Sequence, residues 1–438
     1  MTQLLGLIVN PIAGVGGRAG LKGSDGIKVQ ALALLRGGSR RSAERAVRAL
    51  AVVAAAHPGA EIVTVAGEMG ENAVRAAGLH PRVVSAPQDP RATVPADTVA
   101  ATTAIVEAGA NLVLFVGGDG TARDVCAGMA AVRSAGGSPG TATANGGTAT
   151  ATFGTATAND ITSTANPVAA LGIPAGVKMY SACFAVSPVA AGALAAQWLS
   201  RRPLPVRESE VLDVVEEQLR HGRVEPRLFG YLPVPFVLGR TQARKAPTPS
   251  SQSEAARSAA RGVVKQLQPG MHYLLGPGST VGEIAQLLGL PKTPLGVDVV
   301  LDGEIVCSDA SERDLLALLS GVRAKAVVTV IGGQGFLLGR GNQQLSARVV
   351  RAIGDDPLIA VATEQKLIDL QGRPLLVDTG DAELDARLAG FIRVTTGAAA
   401  ASVYPVQAPE NQTPESEAPE SQAPGCEAQD NEGARACV

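Results

Sequence analysis

The sequence predicts an α/β protein whose first half is a doubly wound, mostly parallel sheet. Three observations carry that expectation. Short β-branched runs alternate with Ala-rich helical stretches through the first half of the chain, which is the pattern of consecutive βαβ units. Two of the runs, LLGLIVNP and LVLFV, lead into glycine-rich loops, and open α/β sheets bind ligands beyond the carboxyl ends of such strands. Composition agrees: 46% of the 438 residues are hydrophobic and 18% charged, enough for sizeable cores. Aromatics at 3% leave little for a base-stacking RNA module.

In chain order, LLGLIVNP reads as the first strand, SAERAVRALAVVAAA as a helix, AEIVTVAG as a strand and ENAVRAAG as a helix. DTVAATTAIVEAG then reads as a helix and LVLFV as a strand. Residues 134–166 break the alternation with three tandem heptapeptides, GTATANG, GTATATF and GTATAND. They lack the apolar a and d seam of a coiled coil and read as a surface insertion. Residues 179–200 carry no charge and are about as long as a membrane span. Ser187-Pro188 nevertheless reads as an N-cap followed by Pro at the first helical position, so the stretch is expected to be ACFAV followed by the buried helix VAAGALAAQWL. VRESEVLDVVEEQLRHGRVEPRLFGYLPVP suggests strands and hairpins, and GRTQARKAPTPSSQSEAA a loop leading into SAARGVVKQL. From His272 the α/β alternation returns. The end of the chain is Pro-, Glu-, Ser- and Gln-rich, a disordered composition. The expected organisation is an N-terminal domain over 1–202, a C-terminal mixed α/β domain over 203–404 and a disordered tail over 405–438.

Lys plus Arg (38) nearly balance Asp plus Glu (40). No basic footprint supports nucleic-acid binding, so an anionic ligand must be held locally. The five cysteines show no CxxC spacing, and His57, His80, His221 and His272 are scattered, so no metal set is read from either. MTQLLGLIVNP lacks the basic n-region of a signal peptide; a reduced, cytoplasmic protein without a membrane partner is expected.

Gly117-Gly118-Asp119-Gly120-Thr121 directly follows LVLFV and precedes the helical ARDVCAGMAAV. Consecutive glycines let backbone N–H groups converge on an anion, and a helix N-terminus adds favourable partial charge. A carboxylate inside a phosphate cradle repels the ligand unless it also takes a proton from a hydroxyl nucleophile or handles Mg²⁺. The competing reading is a tight turn whose Asp caps the helix.

GGDGT after a hydrophobic strand is similar to the hallmark of the ATP-NAD kinases, which is also seen in diacylglycerol and sphingosine kinases. Together with IVNPIAGVGGRAGLKGSDG, GGDGTARDV, LGIPAGVKM, GPGST, IGGQGFLLGRGNQQLS and LLVDTGD, it makes the chain resemble one subgroup. That subgroup is the predicted polyphosphate/ATP-NAD kinases that include acetoin-catabolism protein X. The resemblance runs from about residue 4 to 397, skipping 134–166. It implies a two-lobed NAD kinase/diacylglycerol kinase-like fold, with a doubly wound N-terminal domain and a mixed, β-rich C-terminal domain closing a cleft. It also implies NAD and ATP (or polyphosphate) as substrates, Mg²⁺ as cofactor and a homo-oligomer. Asp119 then deprotonates the 2′-hydroxyl of the NAD adenosine ribose, within a cradle of Gly117, Gly118, Gly120 and Thr121. Three features depart from the pattern: the repeat insertion, Tyr180 where relatives usually carry His, and the lack of a Thr-Pro-Thr-Gly-Ser-type segment.

Further candidates carry paired readings. Arg123 and Asp124, one turn into the helix, bind a phosphate and a ribose or metal, or else form a local ion pair. Asn10-Pro11 opens a loop that contacts nucleotide, with Arg18 or Lys22 on phosphate, or is a structural turn. Gly176 and Lys178 meet the ligand, or start an ordinary helix. Gly278, Ser279 and Thr280 follow the strand HYLL and suit a phosphate or ribose. Gly333 and Gln334, then Arg340 and Asn342, pair bare backbone with side chains that suit phosphate and purine edges. Asp298 and Asp378 are read as strand-end residues that meet ribose or metal, or cap turns. The alternatives to an NAD kinase are a kinase of a lipid or other small hydroxyl compound, and a non-catalytic nucleotide sensor.

Overall fold

The computed structural model describes residues 3–21, 27–136, 168–176, 179–200, 204–213, 226–237, 239–242 and 253–409. Lys22, Lys178, His221, residues 137–166 of the expected insertion and the chain after residue 409 lie outside the described residues; residues 134–136 continue the helix Asp119–Gly136.

The first sheet has the strands β1 (Leu5–Val9), β2 (Glu61–Val65), β3 (His80–Ser85), β4 (Leu112–Gly117) and β5 (Ala169–Pro174). They run parallel in the order β3-β2-β1-β4-β5. Every residue of β1, β4 and β5 is buried, as befits strands covered on both faces, whose sequences are continuous apolar runs. Chain direction away from the centre reverses between β1 and β4, so the loops that follow these two strands flank the topological switch point. Helix Ser42–Ala56 buries Ala46, Ala49, Leu50 and Val53, one stripe at helical spacing. It packs on helix Pro188–Leu199, whose N-cap Ser187 accepts the Ala190 N–H and whose first residue is Pro188. This is the charge-free stretch of the sequence; among the described residues no helix is long and apolar enough to cross a membrane. ACFAV, whose composition suggests a strand, forms only isolated bridges, from Phe184 to Gly172 and from Ala185 to Thr241. The Phe184 ring packs edge-on against Phe115, with centroids 5.4 Å apart.

The antiparallel hairpin of β6 (Val206–Asp213) and β7 (Arg227–Pro235) follows the sequence boundary at 202/203. Its Val211, Leu232 and Val234 are nonetheless buried in the core of the first sheet.

The second sheet comprises β8 (His272–Leu275), β9 (Asp298–Leu301), β10 (Glu304–Cys307), β11 (Ala324–Thr329), β12 (Phe336–Leu338), β13 (Leu358–Val361), β14 (Leu375–Val377), β15 (Gly390–Thr395) and β16 (Ala401–Gln407). Their order is β10-β9-β8-β11-β13-β15-β16-β14-β12. β8, β11, β13 and β15 run parallel, while β9, β10 and β16 bring antiparallel pairings. The expected tail boundary at 404/405 falls within β16. Adjacent strand residues point to opposite faces. Tyr273, Leu275 and Val327 therefore pack with Val263 and Ile284 of helices Ser253–Val264 and Ser279–Leu287, while Leu274, Ala326 and Val328 face a separate core. Phe336, from the edge strand β12, and Leu376, from its neighbour β14, join the first-lobe core and seal the two lobes together.

Gly192 sits where helix Pro188–Leu199 crosses helix Ser42–Ala56: a Cβ there would lie 2.2 Å from the Ala49 carbonyl oxygen and 2.9 Å from Val52 Cβ. Gly192→Val is expected to lower stability by about 1–3 kcal/mol through overpacking, read as a fall in the urea midpoint at unchanged slope.

Candidate active site

The GGDGT turn lies at the switch point. β4 ends at Gly117 and the helix begins already at Asp119, so the carboxylate sits in the helix's first turn, where the dipole favours negative charge. Gly117 has to lack a side chain, because a Cβ there would fall 2.2 Å from Thr121 Oγ1. Asn10, at the end of β1, donates from Nδ2 to Thr121 Oγ1 (3.0 Å) and accepts the Ile12 N–H on Oδ1 (3.2 Å). One side chain thus fixes the loop after β1 against the turn after β4. The loop after β5 is fixed to the same turn, since the amides of Ala175 and Gly176 both donate to the Gly117 carbonyl at 2.9 Å.

Asp119 is only 2% exposed. Its Oδ2 accepts the Tyr180 amide (2.6 Å), and its Oδ1 accepts the Ser181 amide (3.0 Å) and hydroxyl (2.6 Å). A carboxylate has about four acceptor positions, and these bonds use three. Burial raises the Asp119 pKa to about 6; the Ser181 hydroxyl and the two amides oppose that rise, and the Asp213 charge adds to it. The neighbouring Tyr180 phenol is pushed up to about 12, first by its own burial and then by the Asp119 charge. The phenol therefore stays protonated near neutrality.

Arg123 Nη1 pairs with Asp213 Oδ2 of β6 at 3.0 Å, and its Nε bonds Asp124 Oδ1 at 3.1 Å. Arg123 and Asp124 thus take part in an ion-pair bridge between the helix and the hairpin. The second lobe reaches the site through Gln334, in the loop after β11: Nε2 donates to the Met179 carbonyl at 2.7 Å, directly before the two residues that hold Asp119. Gly278 precedes helix Ser279–Leu287 at the carboxyl end of β8; Ser279 is exposed, while the buried Thr280 accepts the Lys366 ammonium on Oγ1 at 3.3 Å. Gly333 lies in the same loop as Gln334, and its carbonyl accepts Arg373 Nη2 at 3.1 Å. The side chains of Arg340 and Asn342 are engaged within the protein. Arg340 bonds Asp378 (2.7 Å) and the Val186 carbonyl (2.9 Å) over the Phe336 ring, and Asn342 spans the Gly339 amide and the Leu337 carbonyl. Asp298 opens β9 and holds Thr293 and Asp309, a turn-fixing role.

Sequence reasoning did not single out Ser181 or Arg45. Ser181 neighbours Tyr180, where the chain departs from the family pattern. Arg45 lies on the buried stripe of SAERAVRAL, and a cation at such a position is the signal of a buried partner. That partner is Asp378, which Arg45 Nη2 approaches at 2.7 and 3.0 Å while Nη1 bonds the Pro174 carbonyl at 2.7 Å. Burial alone would raise the Asp378 pKa, but Arg45 and Arg340 overcome it and hold the carboxyl well below the ordinary range. Among the described residues no group of three or more His, Cys, Asp or Glu is placed to hold a metal ion.

A glycine-rich strand-to-helix turn with a buried carboxylate at the switch point, closed over by a second lobe, is the arrangement of a nucleotide-dependent phosphotransferase. Comparison with family models narrows the class. The ATP-NAD kinase N-terminal domain matches residues 5–133 and the ATP-NAD kinase C-terminal domain residues 269–406. Together they span more than half of the chain, and the protein belongs to the ATP-NAD kinase family, as a phosphotransferase of the NAD kinase type. No curated protein and no solved structure matches it.

Truncating Arg340 would leave the buried Asp378 half-paired. Arg340→Met is expected to cost about 3–5 kcal/mol, the usual penalty for removing one partner of a buried ion pair, as measured by denaturant unfolding.

Proposed function

We propose that the protein transfers the terminal phosphate of ATP, or of inorganic polyphosphate, to the 2′-hydroxyl of the NAD adenosine ribose, with Asp119 as general base. The observation that carries this reading is the Asp119 carboxylate. It is buried and oriented by three hydrogen bonds, has one acceptor position left, and titrates at about 6. A base of that strength is ionised at neutral pH and basic enough to take a hydroxyl proton. The ribose oxygen attacks the terminal phosphorus as its proton passes to Asp119. The bond to the bridging oxygen breaks, and the leaving group is ADP, or a polyphosphate one unit shorter. Such transfers need positioning and charge neutralisation more than covalent help.

In this reading the amides of Gly118, Gly120 and Thr121, with Gly117 leaving room for Thr121, cradle the transferring phosphate. Asn10 holds Thr121 in place, and Gly176 brings the loop after β5 alongside. Arg123 and Asp124 border the cradle on the hairpin side. Gly278, Ser279, Thr280, Gly333 and Gln334 supply the second lobe's contacts, while Arg340 and Asn342 shape the loop between them rather than reaching the ligand. Lys178, shortly after Gly176 in the chain, supplies a counter-charge. Mg²⁺ typically needs only one or two protein carboxylates when it is carried on phosphates; Asp124 and Asp213 are carboxylates beside the cradle, and the ion would neutralise charge on the transferring group.

The near-complete burial of Asp119 favours one second reading, a nucleotide sensor without turnover. A donor-by-acceptor matrix of ATP and polyphosphate against NAD and NADH with Mg²⁺, read by mass spectrometry, separates the two. NADP or NADPH formation is expected, and Asp119→Asn should lower the rate about 10²- to 10⁴-fold. Because the ionised carboxylate is the active form, kcat/KM should fall about tenfold per pH unit below about 6. Unchanged turnover in Asp119→Asn would remove the assigned role, and nucleotide binding with no product from any pair would leave the sensor.

A further inference from the structure

Ser181 is completely buried, and its hydroxyl has more acceptors within reach than protons to give them. Its Oγ lies 2.6 Å from Asp119 Oδ1, 2.9 Å from the Leu212 carbonyl oxygen and 3.0 Å from the Leu212 amide nitrogen. A hydroxyl donates one proton and accepts on two lone pairs. The Leu212 N–H only donates, so the single Ser181 proton is shared between two acceptors, Asp119 and the Leu212 carbonyl.

Leu212 belongs to β6, and both of its backbone groups point to the side that faces Ser181, as those of alternate residues in an antiparallel pair do. The ladder shifts register between Val211 and Leu212, which leaves Phe229 of β7 as an extra residue, a bulge of the kind that re-aims a strand. The chain carrying Ser181 is pinned from two further directions. Gln334 Nε2 donates to the Met179 carbonyl at 2.7 Å, and Gln242 Nε2 reaches the carbonyls of Met179 and Ser181 at 3.4 and 3.5 Å. With the heavy atoms held, the hydroxyl hydrogen is the part that moves.

We infer that Ser181 is a positioning residue whose hydroxyl changes acceptor with the proton state of Asp119 and so ties that carboxylate to the β6–β7 hairpin. While Asp119 is ionised, Ser181 donates to Oδ1 and accepts the Leu212 amide. Once Asp119 holds a proton on Oδ1, that O–H donates to Ser181 Oγ, and the Ser181 hydrogen turns to the Leu212 carbonyl. The hydroxyl then donates once and accepts twice, its full capacity. In neither state does the buried carboxyl lose its Ser181 bond, a loss that would oppose proton transfer. In turnover the exchange rests on the reading of Asp119 as the base that takes the ribose proton.

The balance of forces at Asp119 agrees. Burial raises its pKa, and the Ser181 hydroxyl is the strongest of the influences that oppose the rise. Of the other groups facing Asp119, the Tyr180 phenol and the Cys183 thiol hold their protons near neutrality. Burial and then the Asp119 charge raise both, with the Ser181 hydroxyl opposing the rise at Cys183. Asp213, next to Leu212 on β6, adds to the Asp119 pKa and is itself paired with Arg123 at 3.0 Å.

Carbon NMR on the full chain tests the exchange. Labelling leucine carbonyl carbons together with aspartate nitrogens selects the Leu212 carbonyl, because Asp213 follows it. In the parent protein this carbonyl is expected to titrate together with the Asp119 carboxyl carbon, at about 6, and to stay flat in Asp119→Asn. Ser181→Ala should uncouple the two and raise the Asp119 midpoint by about one pH unit, since a hydrogen bond to a charged group is worth about tenfold more than one to a neutral group. The acid limb of kcat/KM should move up with it, and Ser181→Thr should restore both; circular dichroism establishes that each variant is folded. A Leu212 carbonyl that is flat in the parent, or that still titrates in Asp119→Asn through Asp213 alone, would overturn the assignment. So would an unchanged Asp119 midpoint in folded Ser181→Ala; if that variant does not fold, the parent and Asp119→Asn spectra decide. Coupled titration in a protein that transfers no phosphate would remove the proposed function and leave the Ser181 assignment standing, and turnover through Asp119 with a flat Leu212 carbonyl would do the reverse.

Discussion

The two lobes meet around the buried carboxylate of Asp378. Asp378, from the end of β14, receives Arg45 from the first lobe and Arg340 from the second, and both guanidiniums also satisfy backbone carbonyls, at Pro174 and Val186. A buried charge is costly unless it is paired and hydrogen-bonded. The lobes must therefore close in the one arrangement that brings both arginines to Asp378. That arrangement sets the loop after β5 against the second lobe and places Gln334 on the Met179 carbonyl. The positions of the GGDGT turn and of the loop after β5 both follow from it.

A second balance operates at Asp119. Burial destabilises its charged form, and three short hydrogen bonds recover only part of the loss, so the pKa stays high. The arrangement suits a base that must accept a proton at neutral pH, whereas a cap would gain nothing from desolvation. The chain that follows β5 both holds Asp119 and carries the Ala175 and Gly176 contacts to Gly117, so the geometry of the turn and the pKa of its carboxylate are governed together.

Much of this architecture was legible in the sequence. The continuous apolar runs at β1 and β4, the Ala-rich helix at 42–56 and the Ser187-Pro188 helix start appear where the pattern put them, because each depends on local periodicity or capping. The GGDGT turn was legible for the same reason. Long-range pairings were not. Arg45 and Asp378 are 333 positions apart, and no local pattern links them, so Arg340 read as a ligand contact although its charge is bound to Asp378. The hairpin of β6 and β7 reads as part of the second lobe by chain position, yet its alternate apolar residues find their core in the first. ACFAV has strand composition but pairs only through isolated bridges, at Phe184 and Ala185.

The claim on which the functional account turns is that the Asp119 carboxylate ionises near neutrality because it is buried. Carbon NMR of the protein labelled at aspartate carboxyl carbons, followed across a pH titration, tests it directly. The account predicts one resonance titrating at about 6 that is absent from Asp119→Asn. An Asp119 resonance titrating at the ordinary value of about 4 would contradict it.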